Sequence, residues 1–131
     1  MRFEYKDNLP VVTINVKGKS VKSVDAHLDF ASSMTIISSR MSKELQLAFA
    51  GFERTATGGG MIVMPTYEAI IEVFGESCQI PVGCLDLPED TPIKALLGRD
   101  ILDEHRVCLN GKKRNHRSDR VLKHLDEWLH L

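Results

Sequence analysis

Asp29 lies in the run Ala26-His27-Leu28-Asp29-Phe30-Ala31-Ser32-Ser33-Met34-Thr35-Ile36-Ile37. One carboxylate stands between an apolar run and a turn of small residues, and a β-branched apolar run comes after it. That is how a strand delivers an acid into a tight turn before the chain returns to the core. A carboxylate there is poorly placed for solubility and well placed to move a proton on or off a bound water or carbonyl. The plainer alternative is a turn aspartate that accepts backbone N–H bonds.

Two more segments carry chemistry by position. Arg54-Thr55-Ala56-Thr57 leads into Gly58-Gly59-Gly60, and Met61-Ile62-Val63-Met64 leads out. Two extended arms around three glycines predict a hairpin with a mobile tip. Pro65 predicts an edge or a bend in the outgoing arm. Farther on, Ala95-Leu96-Leu97-Gly98-Arg99-Asp100-Ile101-Leu102 reads as an apolar strand that breaks at glycine and starts a short helix.

These residues need a frame. Val11 to Val16 and Val21 to Leu28 read as paired strands about the turn Lys17-Gly18-Lys19, with Val24, Ala26 and Leu28 on one face. A short strand from Met34 to Ile37 precedes a helix capped by Ser38 or Ser39 and carrying Met41, Leu45 and Leu47. Tyr67 to Phe74 and Cys78 to Val82 are further strands, turned at Gly75-Glu76. Pro88 to Pro92 is a loop. Val107-Cys108-Leu109 is expected as a last core strand, and Asn110-Gly111 signals a tight turn. From Ser118 the period changes. Val121, Leu122, Leu125, Trp128 and Leu129 fall on one helical face, with Ser118 as the cap.

The 131 residues suffice for one domain of ordinary size, and 43% hydrophobic content supports a packed core. A net charge of −1 argues against a general nucleic-acid or membrane-surface binder. The local exception is the basic stretch of Lys112, Lys113, Arg114, His116, Arg117 and Arg120, read as a solvated connection. No apolar run approaches a membrane span. The three cysteines, Cys78, Cys84 and Cys108, are an odd count and read as small core or strand residues. The start Met1-Arg2-Phe3-Glu4-Tyr5-Lys6 is charged, so a reducing, cytoplasmic setting is expected. Cys78 and Cys84 are separated by five residues, and no Cys-x-x-Cys or His-x-x-His pair exists. No metal and no cofactor are expected.

Asp29 in its turn, the glycine hairpin and the Leu96 to Leu102 segment occur in an order that resembles the retropepsin-like aspartic peptidases, the single-domain relatives of pepsin. The resemblance covers roughly Val11 to Lys113. The family pattern is Asp-Thr/Ser-Gly-Ala/Ser, then a Thr and an apolar pair. Thr35, Ile36 and Ile37 fall where those trailing residues belong, which picks Asp29 over Asp25. The resemblance implies an all-β fold, a closed or partly open β-barrel with short helices. Residues 1–117 would form the β domain, and the C-terminal helix over 118–131 would pack on it or at a dimer contact.

The same resemblance implies Asp29 as the catalytic residue. It implies Ala31, Ser32, Ser33, Gly58, Gly59 and Gly60 as substrate-binding, the three glycines forming a flap tip. Phe30, Gly98, Arg99 and Asp100 would be structural. With Ser33 where retroviral members often carry an acid, Arg99 is expected to pair with Asp100 or a backbone carbonyl. One aspartate per chain implies a homodimer acting on a polypeptide, with no nucleic acid and no membrane. Two positions depart from the pattern. Phe30 stands for the Thr or Ser whose hydroxyl bonds across to the partner half, and Ala31 for the glycine, at a cost if that position needs φ > 0. The alternative function is therefore an inactive pseudo-peptidase that binds peptide or dimerises.

Overall fold

The computed structural model describes residues 2–6, 8–88, 90–113 and 115–120. Among the described residues ten strands and two short helices succeed one another. They are β1 (Arg2–Glu4), β2 (Val11–Lys17), β3 (Val21–Leu28), β4 (Ile36–Ser38), α1 (Ser39–Glu44), β5 (Ala48–Thr57) and β6 (Gly60–Val73). Then come β7 (Glu76–Leu85), β8 (Ala95–Leu97), α2 (Arg99–Leu102), β9 (His105–Asn110) and β10 (Asn115–Arg120). Seven strands run in the order β2-β3-β8-β4-β7-β6-β5, and β2 also pairs with β6. That last pairing closes six of them into a barrel and leaves β5 outside, held by β6 alone. The fold is all-β, and closure removes most of the free sheet edge.

Alternation along the strands builds the core. Val24, Ala26 and Leu28 of β3 point inward, as do Val12, Ile14 and Val16 of β2 and Ala69, Ile71 and Val73 of β6. Each fully buried Val, Ile or Leu contributes on the order of 2 kcal/mol. Ser38 caps α1, its Oγ accepting the Met41 N–H at 3.1 Å. A smaller apolar cluster of Met34, Ile36 and Met64 forms apart from the main core, flanked by Ile62, Leu85 and Leu96.

Several expectations change. The turn between β6 and β7 is Phe74-Gly75, one residue earlier than expected, with φ of 54° and 75°. Positive φ at both central residues matches the strand twist of a two-residue hairpin. Of the two expectations for Pro65, the edge is the one met, and β6 runs on through it from Gly60. Pro65 sits where pairing with β7 gives out, opposite Phe52 of β5, so its missing N–H breaks no ladder on the far side.

Val107-Cys108-Leu109 is not a core strand. β9 joins β10 and β1 in a separate three-stranded sheet, and only Val107 packs on the core while Cys108 and Leu109 are exposed. The basic stretch is not a plain connection either. Lys112 and Lys113 are in an exposed turn, and β10 pairs with both β9 and β1. Ser118 lies within β10, opposite Val107, and so caps no helix. The rest of the expected C-terminal helix, 121–131, lies outside the described residues. No helix among the described residues is long and apolar enough to cross a membrane.

Candidate active site

β3 ends at Leu28 and hands the chain to Asp29, whose N–H donates to the Leu97 carbonyl at 2.9 Å. The turn then closes on the aspartate itself. The Ala31 N–H donates to Asp29 Oδ1 at 3.0 Å, and the Ser32 N–H to the Asp29 carbonyl at 3.2 Å. Oδ2 accepts no hydrogen bond among the described residues. The side chain is half-buried, with Oδ1 held by the Ala31 N–H. Phe30, next to it, is 45% exposed and packs into no core. Ala31 is exposed and is not among the residues at positive φ, so alanine fits this backbone without strain.

Ser32 is fully buried. Its Oγ donates to the Met34 carbonyl at 2.6 Å, and its own carbonyl accepts the Arg99 N–H at 2.9 Å. In the described chain its side chain is turned into the turn that it holds. Ser33 is exposed and reaches the hairpin. Its N–H donates to the Ala56 carbonyl at 3.3 Å, and its hydroxyl bonds the buried Thr55 hydroxyl.

Behind the turn, the Gly98 segment crosses it at van der Waals contact. A Cβ on Gly98 would lie 2.3 Å from the Met34 carbonyl carbon and 2.8 Å from the Thr35 nitrogen, so only glycine permits the crossing. Thr35 is the hub. Its Oγ1 accepts the Gly98 N–H at 3.2 Å and donates to Asp100 Oδ1 at 2.8 Å. Its N–H donates to Asp100 Oδ2 at 2.9 Å, and its carbonyl accepts the Gly83 N–H at 2.9 Å. Burial pushes the Asp100 carboxyl above the ordinary carboxylate range, and the bonds from Thr35 pull it part of the way back. Asp100 therefore serves Thr35 and not Arg99. The expected ion pair is absent because both carboxylate oxygens face the turn, while Arg99 is exposed.

The hairpin is rooted and open at once. Met64 and Ile62 of its outgoing arm pack with Met34 and Ile36, so its root rests on the chain that leaves the Asp29 turn. Met61 and Val63 are exposed, as are Gly58, Gly59 and Gly60 at the tip. Asp25, the nearest acid in sequence, is engaged elsewhere, by Lys6 Nζ and Thr13 Oγ1, each at 3.0 Å. Among the described residues, clefts of about 480 and 450 Å³ are lined without Asp29 or the hairpin tip. Among the described residues no cluster of three or more His, Cys, Asp or Glu could hold a metal ion. The arrangement is one anchored carboxylate on a turn tied to a glycine hairpin.

The sequence reading missed two links, Thr35–Asp100 and Ser33–Thr55. The signal for the first was an acid directly after Gly98-Arg99 and a lone Thr inside an apolar run. A buried hydroxyl in such a place needs a partner.

No family model matches the sequence, and a search of curated proteins finds no match. Among solved structures, the chain is similar to the EIAV protease complexed with the inhibitor HBY-793. The TM-score is 0.52 at 18% identity, over 74% of this chain and 88% of that one. The closed barrel and this likeness together establish a retropepsin-like fold.

Proposed function

We propose that the protein is an aspartic endopeptidase of the retropepsin type, working as a homodimer with Asp29 contributed twice across a two-fold axis. The observation that carries it is Asp29 itself: half-buried, Oδ1 fixed by the Ala31 N–H, on a turn locked from behind by Gly98, Thr35 and Asp100. Two carboxylates in contact cannot both ionise, so they share one proton around a water. The ionised member takes a proton from the water, and the neutral member protonates the peptide carbonyl. The chain supplies one such acid, which is why the site needs a second copy. The glycine hairpins would close over an extended polypeptide and exclude water.

The negative φ at Ala31 supports this reading, since the replacement of glycine strains nothing in the turn. The exposed Phe30 ring would meet its copy beside the axis, giving an apolar contact where the family uses a hydroxyl. The test is cleavage of casein or an apolar peptide library at mildly acid pH by wild type and Asp29→Asn. Cleavage that falls at least about a thousandfold in Asp29→Asn is the expected result. Equal rates in the two proteins would sink the reading.

Phe30 also motivates a second reading, a pseudo-peptidase that binds peptide or dimerises without cleaving. It predicts a silent wild type, no engagement of a statine-type inhibitor, and turnover gained by Phe30→Thr combined with Ala31→Gly. Inhibitor-sensitive turnover by the wild type excludes it.

A further inference from the structure

The hairpin of β5 and β6 has two faces, and the described residues cover one of them. Residues directly opposite in an antiparallel pair share a face, as do alternate residues along each strand. Glu53 pairs with Met64 and Thr55 with Ile62, so these form the inner face, where Met64 and Ile62 pack with Met34 and Ile36. Phe52 pairs with Pro65, Arg54 with Val63 and Ala56 with Met61, so these form the outer face. Phe49 joins them across the bulge, its ring 5.4 Å from that of Phe52 and 5.6 Å from that of Tyr67. Phe49, Phe52, Met61 and Val63 are between 57% and 70% exposed. At roughly 150–250 Å² for an aromatic side chain, the two phenylalanines leave roughly 250 Å² open, and Met61 and Val63 bring the patch to roughly 450 Å². Two such patches pressed together remove about 900 Å² from water. With Pro65, Tyr67 and the Arg54 stem at the rim, they pass the roughly 1,000 Å² that a specific interface needs.

The edge of β5 suits a second copy less well than the face. The Ser33 N–H donates to the Ala56 carbonyl, so Ala56 turns its backbone groups away from β6, and by alternation so do Arg54 and Phe52. Ser33 already takes the Ala56 end. Antiparallel pairing of β5 with its copy through the remaining groups sets Glu53 against Glu53 or Arg54 against Arg54. The register centred on Phe52 runs into the bulge beside Gly51, whose φ is 135°. Stacking face on face avoids both obstacles. The outer face holds one charged residue, Arg54, and a net charge of −1 leaves little repulsion between copies. We propose that this outer face docks on the same face of a second copy of the chain, about a two-fold axis. The contact lies on the opposite side of the hairpin from Met34 and Ile36, so it is separate from the pairing proposed for Asp29 and stands without it.

The test is particle mass by sedimentation over a concentration series for wild type, Phe52→Asp, Val63→Asp and Val21→Asp. Val21 is exposed on β3, away from the hairpin, and serves as the control. Each outer-face variant is expected to halve the mass of the wild-type particle, with the association constant down at least about thirtyfold, while Val21→Asp leaves both unchanged. Halving is expected whether the wild type is a dimer or, with pairing at Asp29 as well, a tetramer. Thermal melts report that the variants are folded. Val63→Asp leaves the Phe49–Phe52 ring contact in place and carries the test should Phe52→Asp unfold. Equal masses for wild type and Val63→Asp overturn the proposal, as does a mass that Val21→Asp halves equally.

Discussion

The Gly98 crossing and the glycine hairpin are both built on glycine, for opposite reasons. At Gly98 there is no room: its φ of −92° suits any residue, and only the contact with Met34 and Thr35 demands glycine. At the hairpin there is nothing but room: an added Cβ at Gly58 or Gly60 meets no atom within 4 Å. The crossing packs the Asp29 turn tightly from behind, while nothing crowds the hairpin tip. The proposed function would use both, a rigid acid and an adaptable cover.

The largest effect that would break this contrast is at the crossing. Gly98→Ala is expected to cost about 3 kcal/mol, because the neighbouring backbone has nowhere to go. A urea midpoint unchanged from wild type would mean that the crossing is loose. Next comes Asp100. Replacing it with alanine orphans the Thr35 N–H and hydroxyl, a loss of about 2 kcal/mol by urea titration. Its pH dependence has a definite sign. The folded carboxyl titrates above its unfolded value, so its contribution is fully present below the unfolded pKa and is lost as pH rises through the folded one. The stability of wild type relative to Asp100→Asn should therefore rise as pH falls from neutral towards the carboxylate range. A gap that is flat with pH would contradict the buried placement of this acid.

Smaller effects belong to the link and to the tip. Ser33→Ala removes the bond to the buried Thr55 hydroxyl and should cost about 1 kcal/mol, with faster exchange of the residue-33 amide that donates to the Ala56 carbonyl. At the tip, Gly60 has φ of 109°, so Gly60→Ala is expected to cost about 1 kcal/mol through backbone strain alone. Gly58→Ala, with neither strain nor contact, should stay within about 0.5 kcal/mol of wild type. Equal thermal shifts for these two variants would remove the distinction between them.

The barrel was legible because strand alternation is a local signal. Val24, Ala26 and Leu28 announced their inward face without any knowledge of their partners. The place of Asp29 in a turn was legible for the same reason. The small sheet was not, since β1 carries only Arg2, Phe3 and Glu4 and becomes a strand by pairing with residues 115–117, far away in sequence. Exposure of Cys108 and Leu109 was also hidden, because an apolar triplet does not say whether its strand lies within the barrel or beyond it. In the site, the sequence placed Asp100 beside Arg99 and offered it, or a backbone carbonyl, as that arginine's partner, whereas the Asp100 oxygens turn to Thr35. Thr35, 65 residues away along the chain, wins because it arrives at the carboxylate with two donors.

Asp29 is proposed to act as half of a pair, and subunit mixing tests that most directly. Wild type and Asp29→Asn are combined in equal amounts, allowed to exchange, and assayed for peptide cleavage at mildly acid pH. Random pairing leaves about one quarter of the dimers with two aspartates, so the rate should fall to about a quarter of that of wild type at the same total concentration. A rate of one half would mean that each chain works alone, and cleavage by Asp29→Asn by itself would contradict the claim outright.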